Sequence, residues 1–413
     1  MEREYKDSGI EWIGRIPKEW EVKKLKFIVD SLSKGNGITK EEVFADGDTP
    51  CVRYGEIYTK YNHSFNYCVS ATNIAIQKSP HYINHGDILC AGTGESVEEI
   101  GKNVVYLGET SCLAGGDIIV IRHHQNPSFL SYALNSNYAQ AQKSKGKAKL
   151  KVVHISAFEI GSILLLLPPL PEQQRIASYL DKKCGEIDGL IELQEQMIAQ
   201  LTDYKQSVIT DAVTKGLNPD AELVPSGIDW IGDLPKGWST CRIKDIVNLQ
   251  SGTNLTTMEI SDKGPYPVYG GNGFRGYYEE YSNDGDFILI GRQGALCGNI
   301  NYASGKFWAT EHAVVCYRKR EFAQKWLGEL LRVMNLGQYS LSAAQPGLSV
   351  ERIENLRIPL PPLSEQQAIA SYLDTKCSEI NTLIALKQQK IETLKSYKKS
   401  VIFEAVTGKT TIA

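Results

Sequence analysis

Long apolar runs are absent from this sequence. The longest, Ile163 to Leu167, is far short of the roughly 18 residues a membrane-crossing helix needs, so a helical membrane protein is excluded. The acidic opening MEREYKDSG has neither the basic nor the apolar region of a secretory signal, and a cytoplasmic location is expected. The nine cysteines form no CxxC pair and are odd in number, which argues against disulfides or zinc and for reduced, mostly buried thiols. Net charge is small: 45 Lys plus Arg stand against 48 Asp plus Glu, a formal −3, so no chain-wide basic field points to nucleic acid. Catalytic motifs are missing too. There is no P-loop, no HExxH and no Asn/Asp-Pro-Pro-aromatic tetrapeptide, and the nearest candidate for the last, Asn218-Pro219-Asp220, reads as a turn. GNGFRG, Gly271 to Gly276, matches GxGxxG in form, but turn residues follow where a dinucleotide site needs a helix. His123 and His124 lack a third ligand and read as surface residues. The expectation is a chain without catalytic residues, metal or cofactor.

What is present is a repeat. Leu167 to Thr214 returns as Leu360 to Thr407 with roughly two thirds of its residues unchanged, far more than helix propensity alone produces. SGIEWIGRIPKEW, Ser8 to Trp20, likewise returns as SGIDWIGDLPKGW, Ser226 to Trp238. Each half therefore runs motif, variable region, long helix. Both helices follow a Pro-Pro pair, with Pro171 at a first-turn position in one copy and Ser364 with Gln367 reading as a capping box in the other. Leu180, Cys184, Ile187, Ile191, Gln194, Ile198, Leu201, Lys205, Val208 and Ala212 fall at alternating four- and three-residue steps, a coiled-coil seam with two polar interruptions. The second copy keeps that seam from Leu373 to Ala405. A further stripe, Leu190, Leu193, Met197 and Tyr204, repeated at Leu383, Leu386 and Tyr397, makes the helices apolar on more than one side and calls for an additional partner.

Length constrains the arrangement. A helix of about 45 residues rises roughly 67 Å, whereas a domain of about 140 residues has a radius of gyration near 14 Å and cannot return the chain to the start of a parallel helix. Two antiparallel helices are expected, with pseudo-two-fold symmetry and an α+β variable domain in each half. The boundaries read as a first variable domain at 1–166, a helix at 167–217, a second domain at 218–359 and a C-terminal helix at 360–413.

The order of elements, the SGIEWIG opening and the entries LPPLPEQQRIA and LPPLSEQQAIA resemble the specificity subunit of a type I restriction–modification system, over nearly the whole chain. The resemblance implies that the variable regions are target-recognition domains, each reading one half of a bipartite double-stranded DNA target. It implies that the helices form a spacer, dock two adenine-methyltransferase subunits and set the half-site separation, with room for a restriction/translocase subunit. S-adenosylmethionine belongs, on this view, to the methyltransferase. The alternative is a coiled-coil scaffold with two protein- or glycan-binding domains, which suits the slight acidity.

Candidate DNA contacts follow from residue chemistry. Arg53 and Tyr54 stand in PCVRYGEIYTKY, where a strand is expected around Cys51–Tyr54. Lys143, Lys145, Lys147, Lys149 and Lys151 alternate with small residues and suit phosphates on an extended loop. Asn272, Phe274 and Arg275 in the glycine-rich stretch, with Arg292 and Gln293 between two strands, suit base edges, arginine matching guanine and amides matching adenine. Further strands are expected around Ile88–Cys90, Val104–Leu107 and Ile118–Arg122, a helix at Pro127–Gln142, and a core strand FWATEHAVV with Trp308 buried.

Overall fold

The computed structural model describes residues 3–147, 152–294, 296–340 and 347–412. Two compact units result, Met1–Glu195 with Gln389–Ala413, and Gln196–Gln388. The fold is α+β, and the units do not break between domain and helix. Each holds one variable region and opposite halves of the two long helices, Leu170–Lys215 and Leu363–Val406. Within each unit the helices run antiparallel. In the first, Lys398 Nζ donates to Asp188 Oδ1 and Oδ2 at 2.7 Å, and Leu180 and Cys184 share a core with Val401 and Ala405. In the second, Lys205 Nζ donates to Asn381 Oδ1 at 2.8 Å, and Ile209 and Ala212 share a core with Leu373 and Cys377. The seam lysines thus meet matched residues, an aspartate in one copy and an asparagine in the other. That pairing accounts for a polar interruption that periodicity alone leaves unexplained.

The recurring motif and the helix entry explain each other. Trp20 is buried and its Nε1 donates to Glu172 Oε2 at 3.0 Å; Trp238 Nε1 donates to Glu365 Oε2 at 2.9 Å. Gln173 Nε2 donates to the Pro168 carbonyl while its Oε1 accepts from Asn126 N, and Gln366 does the same between Pro361 and Ala323. Side chains from PEQQ and SEQQ therefore satisfy backbone groups of the Pro-Pro turn and of the helices Pro127–Asn135 and Gln324–Val333. The second long helix begins at Leu363, so Ser364 lies inside its first turn and is not the cap that a capping box requires. Strands Leu164–Leu167 and Arg357–Leu360 pair antiparallel with Glu21–Lys24 and Ser239–Arg242, which closes each variable region beside its helix entry.

The variable regions share little sequence but one topology. In the first, Ile88–Ala91 pairs antiparallel with Ile118–Arg122 and Asn103–Tyr106, and Ile118–Arg122 pairs with Ser31–Lys34. In the second, Phe287–Gly291 pairs with Ala313–Arg318 and Ile300–Ala303, and Ala313–Arg318 pairs with Val247–Ser251. Each has a second small sheet built on a parallel pair, Thr49–Val52 with Cys112–Ala114 and Tyr266–Gly270 with Lys306–Ala309. Registers align residue by residue. Ala91 faces Ile118 as Gly291 faces Ala313. Gly92 N donates to the Asp117 carbonyl at 2.7 Å as Arg292 N does to that of His312 at 2.8 Å. Gly115 N donates to the Val52 carbonyl at 2.7 Å as Thr310 N does to that of Tyr269 at 2.9 Å. Arg53 and Gly270, one residue further on, therefore occupy the same place, as do Asp117 and His312.

Three local expectations are corrected. Tyr54 and Tyr58 lie on a short helix, Tyr54–Thr59, because Glu56 accepts from Arg53 N and turns the chain at the strand end. The helix expected at Pro127–Gln142 is two, Pro127–Asn135 and Asn137–Ser144, broken where Ser136 is extended (ψ 156) and its Oγ donates to the Ala133 carbonyl. FWATEHAVV is two strands around a turn at Thr310, and strand alternation buries Phe307 while Trp308 is half-exposed with its Nε1 on the Thr253 carbonyl.

Candidate nucleic-acid interface

Each unit carries a concavity at the corresponding place in its topology, at the end of its parallel strand pair. In the first unit it measures about 1150 Å³ and is lined by Lys34, Lys40, Arg53, Tyr54, Lys60 and Asp117 among others. The walls approach closely: a Cβ on Gly35 would sit 2.3 Å from the Gly115 carbonyl oxygen, which permits no side chain there. Arg53 is anchored by one nitrogen, Nε donating to Glu56 Oε1 at 3.3 Å, and the buried Glu56 also accepts from Ser70 Oγ at 2.6 Å. Lys34 pairs with Asp117 at 3.2 Å, and Tyr54 is exposed at the rim. Burial and the nearby Glu56 carboxylate push the Cys51 thiol up to about 12, and burial lifts that of Cys90 to about 11, so both stay protonated.

In the second unit the concavity measures about 480 Å³ and is lined by Gly271, Asn272, Phe274, Arg275, Gln293, Gly294 and His312. Four residues singled out from sequence, Asn272, Phe274, Arg275 and Gln293, thus converge. They do so because Tyr266–Gly270 and Gly273–Tyr278 form a hairpin around Gly271-Asn272, with Gly273 at φ +92 supplying the left-handed turn. No helix follows GNGFRG. Phe274 is 54% exposed and edges onto Tyr269 and Tyr277, at 6.3 and 5.2 Å between centroids. Arg292 is held differently: its backbone continues the sheet, and Nη1 donates to Ser251 Oγ at 3.2 Å.

The lysine tract divides. Lys143 is a correction: it is 2% exposed and its Nζ donates to the Gly101 carbonyl at 2.6 Å, so it is a core residue and not a phosphate contact. Burial pushes its ammonium down to about 8. Lys147 is also engaged internally, with the His154 carbonyl at 2.6 Å and Glu159 at 2.7 Å. Lys145 is exposed, and Lys149 and Lys151 lie outside the described residues. Helix Asn137–Ser144 runs into the tract and turns Lys143 inward, which charge patterning cannot reveal. Sequence reasoning also passed over Lys34, Lys40, Lys60, Asp117 and His312. For Lys34 the available signal was SKGNG, in which Gly35 marks a close backbone approach.

The helices leave a matched surface uncovered. In the first unit Leu190, Leu193 and Tyr397 are 45%, 44% and 55% exposed; in the second Leu383, Leu386 and Tyr204 are 47%, 56% and 52% exposed. Each unit thus shows two leucines from one helix and a tyrosine from the other. Met197 is half-buried, its Sδ accepting from Lys387 Nζ at 3.2 Å. Among the described residues no helix is long and apolar enough to cross a membrane.

Comparison with known proteins agrees with these features. A family model for the type I restriction modification DNA specificity domain matches residues 17–203 and 235–395. The chain is 39% identical over 150 residues to the Type I restriction enzyme EcoprrI specificity subunit of Escherichia coli, covering 35% of this chain and 37% of that protein. It is 24% identical over 427 residues to the Type I restriction enzyme MjaVIII specificity subunit of Methanocaldococcus jannaschii, covering 96% of this chain and 94% of that one. Among solved structures, a chain from work on complex assembly and conformational transition of the type I R-M system matches with a TM-score of 0.75 at 17% identity, over 96% of this chain and 99% of that chain. The HsdS subunit from Thermoanaerobacter tengcongensis matches with a TM-score of 0.52 at 17% identity, over 96% and 98%. At such identity the structural likeness speaks for the fold alone.

Proposed function

The chain belongs to the family of type I restriction–modification DNA specificity subunits, and from that premise we propose that each unit reads one half of a bipartite double-stranded DNA target. The observation that carries this reading is the pair of concavities, equivalent in topology and different in side chains, set on helices whose sequence is repeated. Equivalent frames with unlike linings suit two different half-sites. The exposed leucine–tyrosine sets each dock one methyltransferase subunit, and their presence in both units fits two copies. The continuous helices fix the number of unread base pairs between half-sites. This chain targets, while methyl transfer from S-adenosylmethionine, with base flipping, takes place in the partner.

The test is co-expression with the cognate methyltransferase subunit, followed by single-molecule sequencing of host DNA. A single split motif carrying methylated adenine supports the reading. A stable complex that methylates no motif refutes it.

A further inference from the structure

Resting on that reading, we propose that both units place a guanine-reading guanidinium at the same point of the recognition concavity, Arg53 in the first and Arg275 in the second, delivered from different strands. The matched ladders put Gly270 where the first unit has Arg53. A Cβ built on Gly270 would lie 2.5 Å from Arg275 Cδ and 3.4 Å from its Cγ. The stem of Arg275, reaching over from the second strand of the hairpin, therefore crosses the volume that the Arg53 side chain starts from in the other unit.

The surroundings match as well. Opposite Arg53 stands Gly115, whose Cβ would meet Arg53 Cα at 3.3 Å and Cγ at 3.7 Å; opposite Gly270 stands its counterpart Thr310, with Oγ1 3.6 Å from the built Cβ. Gly270 is not at a positive φ, so its backbone does not demand glycine. Its missing side chain makes room for Arg275.

Both guanidinium groups keep free donors. Arg53 spends Nε on Glu56 and leaves Nη1 and Nη2, the forked edge that fits guanine O6 and N7. Among the described residues no carboxylate pairs with Arg275, although it lines the concavity. In the first unit Lys40 and Lys60 are available for phosphates, while Lys34 is paired with Asp117, which leaves the strand-end arginine to face the bases. Two sequences with little in common have thus filled one position by two routes.

The expected motif has a G·C pair at the corresponding place in each half. Methylation mapping with Arg275→Ala should make that pair degenerate in the second unit's half-site only, with a loss of preference of about ten- to a hundred-fold. Arg53→Ala should do the same to the other half alone. The deciding variant is Gly270→Arg combined with Arg275→Ala, which moves the guanidinium to the first unit's route and should restore the guanine. An unchanged motif in both single variants overturns the proposal, as does a uniform fall in methylation with the motif intact, which would make the arginines phosphate contacts. A double variant that melts like Arg275→Ala but stays degenerate also overturns it. A wild-type complex that yields no split motif removes the functional reading itself, whereas a split motif without guanine in either half removes only this inference.

Discussion

Replacing Lys143 with methionine tests the burial of this lysine in the core, away from any DNA-facing surface. Its ammonium is 2% exposed, and burial lowers its pKa from 10.5 to about 8. In this case the unfolded chain holds the proton more tightly than the folded one. Stability should therefore rise as pH climbs through 8 towards 10.5, where the unfolded lysine still binds a proton that the folded one has released. Below pH 8 the buried charge costs about 3 kcal/mol at 1.36 kcal/mol per unit; at pH 9.5 the cost falls to about 1 kcal/mol. Lys143→Met carries no such charge but loses the bond to the Gly101 carbonyl, a loss that does not vary with pH. The stability gap between wild type and variant should consequently shift by about 2 kcal/mol in favour of wild type between pH 7 and 9.5, or roughly 4–8 °C in Tm for a unit of this size. Thermal unfolding of both proteins at the two pH values measures that double difference, in which other titrating groups cancel. A gap that stays constant with pH refutes the buried charge. A variant that keeps its stability but loses salt-dependent DNA affinity restores the phosphate role.

Two further outcomes follow from the helices. Leu383→Glu with Leu386→Glu places charges on one exposed stripe, and because about half of each leucine remains to be buried, losing that burial forfeits about 1.5–3 kcal/mol of docking energy; mass photometry of the complex should show one methyltransferase copy where wild type shows two, and two retained copies would exclude this surface as the dock. Trp20→Phe leaves Glu172 Oε2 buried without its indole donor, at a cost of about 1–3 kcal/mol, while Trp238→Phe should cost less because Glu365 is more exposed. Thermal melting checks the order, and a Trp20→Phe protein that melts like wild type would make the recurring motif irrelevant to stability.

Much of this molecule was legible from local pattern. Heptad spacing from Leu180 to Ala212 and from Leu373 to Ala405 specified the helices and their seam, because periodicity is a property of neighbours along one chain segment. The same pattern isolated Leu190, Leu193, Leu383 and Leu386 as surplus apolar residues, and the structure leaves them uncovered. Asn272, Phe274 and Arg275 were picked out by their side-chain chemistry in a glycine-rich stretch, and the fold brings them to one concavity. The bipartite order of motif, variable region and helix came from repetition alone.

Tertiary structure decided what depends on register between distant strands. That Arg53 corresponds to Gly270 emerges only when Gly115 and Thr310 are seen to donate to equivalent carbonyls, since no local alignment relates PCVRYG to YPVYGG. That Lys143 is inside while Lys145 is outside depends on a helix whose inner face is set by Gly101, some 40 residues away. The PEQQ residues were visible as a repeat, yet their work of binding an indole and a Pro-Pro carbonyl required the fold that brings Trp20 to Glu172. Periodicity and turn chemistry are written along the chain; burial and pairing across a ladder arise only when remote segments meet.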